Sequence, residues 1–390
     1  MRTFLIVLLI FSSVITIAQS NKEYAAIDNQ ALKIADSLSK SVNTIAEYIN
    51  TNFKTDNEKI RALFFWEVSK ISYDIENMFA INFNETSENK IDKTLETKKG
   101  ICINYAEIFN AVSNRLGIKS FVIEGYTKQN GFTDYIPHAW CAAKIDGHWF
   151  LFDPTWGSGF INNGKFVKKI NEKYFKADPA KMIASHIPFD FLWQFLNYPV
   201  TNQEFYDSNI RINNTKQYFY FEKEITSYEK LSELEQLTQS SERIEKNGIK
   251  NAMIFDRLAY KKREIEYLKQ KKLSDDFNNA IAIYNEAINE FNEFINYRNK
   301  QFKPVKPDEE LKRMIEEPKS KLLKAQEQLS NLGEVSADNV ANVNSVKKGV
   351  TDALKLIDEH DVFVKEYLSK GKAGRRSMFT KITIFGKPIN

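Results

Sequence analysis

An Asp-Gly pair, Asp146-Gly147, stands between two runs of aromatic and small apolar residues, at 138–145 and 148–155. Such a pair between two such runs is a strong signal for a β-hairpin closed by a two-residue turn. A turn of this length also fixes the register in which the two arms pair. The sequence therefore predicts two neighbouring antiparallel strands, and it predicts which side chains face each other.

Continued outward from the turn, this register places Trp140 opposite Asp153 and His138 opposite Thr155. Side chains alternate between the two faces of a strand, so these four residues are predicted to share one face. His138 and Asp153 then become diagonal neighbours, within reach of two polar side chains. A carboxylate in that position can hold an imidazole in one tautomer and one orientation.

A helix is predicted over residues 102–116, directly after Gly100. Its apolar residues recur at helical spacing and a glycine follows as a stop signal: Tyr105, Phe109, Val112, Leu116 and then Gly117. Cys102 is thus expected in the first turn, where free N–H groups and the helix dipole favour a thiolate. Its backbone N–H could also help to bind an oxyanion. A thiol, an imidazole and a carboxylate are what acyl transfer through a thiolate requires.

Each of these three residues also has a purely structural interpretation when it is taken alone. A free cysteine is more often a small buried apolar residue than a nucleophile, and an aspartate before Pro-Thr often only starts a turn. A strand histidine is often structural as well. The occurrence of Cys102, His138 and Asp153 in this order and context favours the catalytic interpretation.

Cys141, three residues after His138, raises the alternative of a metal site. A chain with two cysteines and four histidines offers no second ligand pair at a metal-binding spacing, so no metal is expected. The alternation along the strand predicts that Cys141 is a buried thiol on the face opposite to His138. Opposed faces also argue against a disulfide between Cys141 and Cys102.

Several segments together carry a resemblance to a known family; they lie at 58–66, 71–74, 100–102, 138–140, 152–157, 189–194 and 198–199. On these motifs the region from about 57 to 206, about 40% of the chain, resembles the transglutaminase-like superfamily in its bacterial, peptidase-like branch. The resemblance implies an α+β fold of papain-like arrangement, in which a helix carrying the cysteine packs on an antiparallel sheet carrying the histidine and the aspartate.

The resemblance also implies roles for three residues. Cys102 would be the nucleophile, His138 the general base and acid, and Asp153 the orienting carboxylate, with no metal or organic cofactor. The chain has Asn104 where the family often has glycine, and Cys141 where it often has asparagine; neither departure removes a catalytic group.

Three aromatic residues are candidates for an oxyanion donor or for a wall of the pocket, with core packing as the alternative. These residues are Trp66, Tyr73 and Trp140.

The N-terminus predicts export. A short basic start is followed by an apolar run at 4–17 and by Ala18, which is the pattern of a signal peptide over residues 1–18. This run of fourteen residues, apolar apart from Ser12, Ser13 and Thr16, is short for a bilayer span, although an uncleaved anchor is the alternative. The mature chain is expected to begin near Gln19, to carry no transmembrane segment, and to be periplasmic or secreted. A net charge of +4 is too small to indicate nucleic acid binding.

The composition divides the rest of the chain. Residues 20–222 are predicted as the transglutaminase-like domain, 226–370 as a helical bundle, and 371–390 as a basic linker with a short strand-like tail.

In the first domain we expect helices at 26–50 and 56–72, loops at 77–98 and 127–137 beside the site, and strands at 119–126 and 215–221. In the second we expect five helices, at 227–246, 250–272, 275–301, 308–331 and 338–369, with Pro318 kinking or breaking its helix. Runs of fewer than four heptads favour a bundle over a coiled-coil arm.

The expected function is acyl transfer. The substrate is expected to be a peptide or a protein, and the bond attacked a backbone amide or a side-chain amide. Resolution of a thioester by water would give a peptidase or amidase, which the resemblance favours, and resolution by an amine would give a cross-link. The alternative from another class is a catalytically silent scaffold of the cell envelope, with the C-terminal helices binding a protein partner.

Overall fold

The computed structural model describes residues 23–79, 85–211, 213–379, 381–382 and 388–389. The predicted signal peptide lies outside these residues. None of the described helices is both long enough and apolar enough to cross a membrane. The chain separates into two compact units, which meet in sequence between Arg263 and Glu264.

The first unit contains ten complete helices and the start of an eleventh among its described residues. Their bounds are α1 Ala25–Ala31, α2 Val42–Asn52, α3 Asp56–Lys70, α4 Ser87–Thr97, α5 Cys102–Arg115, α6 Pro154–Ser158, α7 Pro179–Met182, α8 Asn202–Tyr206, α9 Phe221–Tyr228, α10 Glu233–Asn247 and α11 Ala252–Asn299. Three short 3₁₀ turns lie at Asp36–Leu38, Glu172–Tyr174 and Phe191–Gln194.

Three strands of the five-stranded main sheet are the longest of the described strands in the first unit. The bounds of the described strands in this unit are β1 Ser72–Tyr73, β2 Lys99–Gly100, β3 Ser120–Gln129, β4 Phe132–Thr133, β5 His138–Ile145, β6 His148–Phe152, β7 Gly159–Asn162, β8 Lys165–Lys168 and β9 His186–Pro188. The main sheet is antiparallel with the order β4-β3-β5-β6, and β9 pairs with β3.

The β5–β6 hairpin has the predicted register, from Ile145 opposite His148 at the turn to Cys141 opposite Phe152. Asp146 and Gly147 have φ angles of +51° and +82°, the left-handed values that a tight hairpin turn needs at both positions.

The second arm of the hairpin is shorter than predicted. β6 ends at Phe152, and Asp153 is the N-cap of α6. Pro154 favours this change, because its fixed φ suits the first position of a helix. Thr155 therefore lies in a helical turn and is not paired with His138, which corrects the prediction for that residue.

Helix α5 packs against one face of the sheet and forms the main core. Phe109 and Val112 of the helix join Cys141 and Phe152 of the hairpin in one buried cluster. The other face of the sheet carries Trp140 and further apolar residues in a second cluster. This α+β arrangement, with the cysteine-bearing helix on the antiparallel sheet, is the one that the resemblance implied.

Gly125 of β3 allows β9 to approach the sheet closely. Gly125 pairs with His138 on one side and with Pro188 on the other. A Cβ atom at this position would collide with the backbone of Ile187 and would meet the ring of Trp140 at 2.7 Å. The absence of a side chain at Gly125 thus lets β9 lie next to the strand that carries His138.

Several predicted elements of the first unit differ from the structure. The helix expected at 26–50 is interrupted between α1 and α2, and the loop expected at 77–98 contains α4. The strand expected at 215–221 is absent from its described residues, because no neighbouring strand edge pairs with it and α9 begins at Phe221.

The second unit is helical, as predicted. It contains the rest of α11, then α12 Asp308–Ser330, α13 Ala337–Ser369 and α14 Lys372–Ser377, with two short paired strands, β10 Lys381–Ile382 and β11 Pro388–Ile389. Helix α11 is continuous where two helices were expected at 250–272 and 275–301, since no glycine or proline separates them. Helix α12 also continues through Pro318, which is buried, so the prediction of a break there is wrong.

The boundary between the two compact units, after Arg263, lies later in the sequence than the domain boundary predicted at 222–226. Ile225 packs with the second cluster of the sheet, and Ile244, Ile254 and Leu258 pack with Tyr126. These contacts place residues 226–263 with the first unit. Whether residues 20–222 fold without them stays a prediction.

Candidate active site

Cys102 is the first residue of α5, as the sequence predicts. Just before it, Gly100 pairs in parallel with Tyr73. The side chain of Asn104 closes the helix start, because its Oδ1 accepts a hydrogen bond of 3.0 Å from the N–H of Ile101. The N–H of Cys102 has no acceptor within the helix at this position, so it is available to an oxyanion.

His138 and Asp153 meet at the end of the hairpin, as the register predicts. Nε2 of His138 lies 2.8 Å from Oδ2 of Asp153, and both side chains are buried. The other carboxylate oxygen, Oδ1, accepts a hydrogen bond of 3.0 Å from the N–H of Trp156. Asp153 is therefore held by the helix that it caps while it orients the imidazole.

The opposite side of the His138 ring faces Cys102. Nε2 is used by Asp153, which leaves Nδ1 for a thiol, and Cys102 is among the groups that raise the pKa of His138. Burial would lower the pKa of His138, but the charge and hydrogen bond of Asp153, with the interactions of Cys102, outweigh it and raise this pKa to about 10. His138 thus connects a thiol to a buried carboxylate.

The sequence interpretation missed a second histidine in this cluster. His186, the first residue of β9, is buried, and its Nε2 lies 3.0 Å from Oδ2 of Asp153. Its Nδ1 lies 2.9 Å from Oγ of Ser185. Burial lowers the pKa of His186 despite its bond to Asp153, which indicates a neutral ring that donates from Nε2 and accepts from Ser185 at Nδ1.

The carboxylate of Asp153 stays ionised in this environment. Burial alone would raise its pKa, but the charge and hydrogen bond of His138, followed by those of His186, hold the pKa well below its usual value. Two histidines and one backbone N–H therefore share the charge of this carboxylate.

A cavity of about 900 Å³ opens over Cys102 and His138. The segment at 127–138 lines it, although the predicted loop at 127–137 contains the end of β3 and strand β4, and the β7–β8 hairpin and the segment that follows it line it as well. Thr155 and Trp156 also line the cavity. This space gives a substrate carbonyl direct access to the thiol.

The three aromatic candidates occupy different places. Tyr73 lines the cavity. Burial, followed by the charges of Cys102 and Asp153, raises the pKa of Tyr73 above its ordinary value of 10.0. Its hydroxyl is consequently a neutral hydrogen-bond donor close to the thiol.

The two tryptophan candidates do not line the cavity. Trp66 is fully buried in the core. Trp140 is also buried and stacks against the ring of His138, with centroids 6.1 Å apart. Trp140 thus shields the imidazole from water, whereas Trp66 contributes to packing.

His138, Asp153 and His186 are also the described residues that could hold a metal ion, since their ligand atoms lie within 4.8 Å of one another. A metal there would displace the hydrogens that both Nε2 atoms direct at Asp153. The hydrogen bonds of 2.8 Å and 3.0 Å satisfy all three groups without an ion. The donor set therefore fits the orientation of His138 better than it fits a metal centre.

Cys141 has no part in this cluster. It is fully buried on the face of the sheet that α5 covers, and its Sγ donates to the carbonyl of Ala106 at 3.2 Å. Both Cys141 and Cys102 are free thiols. The predicted position on the opposite face from His138 is confirmed.

Comparisons with known proteins agree with this geometry. A model of the transglutaminase-like superfamily matches residues 43–154. The kyphoscoliosis peptidase of Mus musculus is 33% identical over 162 residues, which are 40% of this chain and 24% of that protein. Hillarin of Drosophila melanogaster is 24% identical over 205 residues, 47% of this chain and 24% of that protein.

A solved structure of a TGase is 21% identical, covers 42% of each chain and has a TM-score of 0.24. The present chain spans about a quarter of the length of the curated relatives named above. The matched region contains Cys102, His138 and Asp153 in full. The part of the chain that carries these three residues belongs to the transglutaminase-like superfamily.

Proposed function

We propose that the protein is a cysteine-dependent hydrolase of peptide or side-chain amides. The observation that carries this proposal is His138, whose ring joins the Cys102 thiol to the buried Asp153 carboxylate at the floor of an open cavity. A nucleophile, a base and a group that orients the base are the three parts that covalent acyl transfer needs.

In the first half of the reaction, His138, with its raised pKa, already holds the proton of the Cys102 thiol as an imidazolium, and the thiolate Sγ attacks the amide carbonyl. The carbonyl oxygen becomes an oxyanion. The C–N bond then breaks, and His138 delivers its proton to the departing amine. The product of this half is a thioester between Cys102 and the acyl group.

In the second half, His138 takes a proton from water as the water oxygen attacks the thioester. The C–S bond breaks, the carboxylic acid leaves as the thiolate of Cys102 forms again, and the proton stays on His138. The net change is one amide plus one water converted to one acid and one amine. Asp153 stays ionised throughout and stabilises the imidazolium, as in other such triads.

Two donors are positioned for the oxyanion. One is the N–H of Cys102 at the start of α5, and the other is the hydroxyl of Tyr73, which lines the same cavity. One such donor typically contributes about 2.7–4 kcal/mol to the stabilisation of a transition state.

Hydrolysis is favoured over cross-linking because curated relatives carry the name peptidase. An experiment separates the two outcomes: the purified protein is incubated with a peptide mixture, with and without a primary amine, and the products are identified by mass. We expect cleaved or deamidated peptides in both samples and none with Cys102→Ala. Amine adducts without hydrolysis would establish a transferase instead, and products with Cys102→Ala would refute the proposal.

We further propose that the protein is exported, on the strength of the basic start and the apolar run before Ala18. The intact mass of protein recovered from the native envelope or medium tests this. We expect a chain that begins near Gln19, and a full-length chain in the cytoplasm would contradict the proposal.

A further inference from the structure

We propose that the cavity over Cys102 binds an extended peptide that carries acidic residues next to apolar ones, with Lys169 and Lys173 as the residues that select the acidic side chain. This inference rests on the proposed function and names its substrate class. It depends on the charged and the exposed apolar side chains that line the cavity and not on the catalytic residues.

The charge of the cavity wall is positive. Of its described lining residues, Lys128, Lys169 and Lys173 carry positive charge, against one carboxylate, that of Asp134, apart from the catalytic cluster. Asp134 accepts hydrogen bonds from Thr127 and from Gln129, so its charge is directed into its own wall. The wall thus has an excess of positive charge where a substrate would lie.

Two of the three lysines are available to a ligand. Lys128 bonds to the carbonyls of Phe205 and Tyr206 at the end of α8, at 2.8 and 2.9 Å, and is occupied there. Lys169 and Lys173 are exposed, and no carboxylate of the described residues lies within 4.0 Å of either ammonium group. The Lys173 ammonium lies over the ring of Tyr174, 5.7 Å from its centroid.

The nearest acidic residue in sequence cannot neutralise these lysines. Glu172 precedes Lys173, but its carboxylate is held by Arg61 through hydrogen bonds of 2.5 and 2.9 Å. Asp28 holds the same guanidinium at 2.6 Å. Among the described residues, the ammonium groups of Lys169 and Lys173 therefore have no carboxylate partner, and their charge complements an acidic ligand.

The lining of the cavity also offers apolar surface to a peptide. The segment at 127–138 and the β7–β8 hairpin both line it, and both present apolar side chains to solvent. Tyr135 of the segment is 84% exposed, and Phe160 and Ile161 of the hairpin are 50% and 44% exposed. Such side chains are expected to cover the apolar residues of a bound peptide.

A binding experiment that does not require catalysis tests the inference. An octapeptide of alternating leucine and glutamate and its glutamine counterpart, each with the same neutral fluorophore, are titrated with the Cys102→Ala protein and followed by anisotropy. We expect the glutamate peptide to bind at least about fivefold more tightly, and the difference to shrink between about 50 mM and about 500 mM salt.

Paired variants locate the effect. Lys169→Gln with Lys173→Gln should abolish the preference for glutamate. Lys165→Gln with Lys181→Gln removes the same charge from exposed lysines that do not line the cavity, and should preserve the preference.

Equal binding of the two peptides, no binding of either, or a preference that survives in the first pair would overturn the inference. The proposed function is judged separately, by the reactivity of Cys102 in the wild-type protein. Labelled Cys102 without a charge preference would leave the hydrolase standing and remove only the substrate class.

Discussion

Nε2 of His186 lies 3.0 Å from Oδ2 of Asp153, so the carboxylate that orients His138 has a second buried histidine as its partner. His186 does not line the cavity, whereas His138 does. One histidine is thus placed to exchange protons with a substrate, and the other holds the carboxylate. This division follows from β9, which Gly125 admits beside β3.

We expect His186→Leu to lower the free energy of unfolding by about 1–3 kcal/mol, because Asp153 loses a buried hydrogen bond and Ser185 loses a partly buried one. Urea unfolding measures this loss. Alkylation of Cys102 should become slower than in the wild type but should remain faster than in His138→Ala. Equal loss of alkylation in the two variants would show that His186 itself is the base.

Asp153→Asn should reduce turnover by roughly two to four orders of magnitude without abolishing it. The amide can hold the His138 ring in the wrong tautomer, but the ring itself remains as the base. The pKa of His138, measured by NMR, should fall from about 10, because the charge of Asp153 is the largest of the influences that raise it. An unchanged His138 pKa in this variant would contradict the assigned role.

The shifted pKa values of His138 and Asp153 predict how the free energy of unfolding depends on pH. The raised pKa of His138 contributes stability that is full below its ordinary pKa of 6.5 and is lost as the pH rises towards about 10. The lowered pKa of Asp153 contributes stability above 3.8 that is lost at more acidic pH. The difference in unfolding free energy between wild type and Asp153→Asn should therefore be largest between pH 3.8 and pH 6.5.

Glu67 should destabilise the protein at neutral pH. It is fully buried in α3, neither of its carboxylate oxygens has a hydrogen-bond partner among the described residues, and burial raises its pKa well above 4.5. The folded state then keeps a proton that the unfolded state releases, so stability falls as the pH rises above 4.5.

Glu67→Gln should gain stability relative to the wild type between about pH 4.5 and pH 8, because glutamine does not titrate. Chemical unfolding across this range measures the difference between the two proteins. A difference that is constant with pH would mean that Glu67 is charged in the folded state.

The sequence predicted the parts of the site that depend on local chain geometry. The turn at Asp146-Gly147 set the register that brings His138 to Asp153, and the apolar spacing after Gly100 placed Cys102 at a helix start. Both signals lie within a few residues of the feature that they determine.

The parts that were missed depend on contacts between distant segments. His186 reaches Asp153 only because β9 pairs with β3, some sixty residues earlier, and a single sequence holds no signal for that pairing. Helix α4 had a local signal, since Thr86 caps it and Ile91 and Leu95 are one turn apart. That signal was outweighed by the polar composition of the segment.

Alkylation of Cys102 by iodoacetamide at about pH 6 is the most direct measurement, because a free thiol with a pKa of about 8.5 reacts slowly there. We expect rapid labelling of Cys102 in the wild type and in Cys141→Ser, whose hydroxyl can still donate to the carbonyl of Ala106. His138→Ala should lose this reactivity. Slow labelling in the wild type, faster labelling of Cys141, or reactivity unchanged in His138→Ala would contradict the catalytic triad and leave a scaffold in its place.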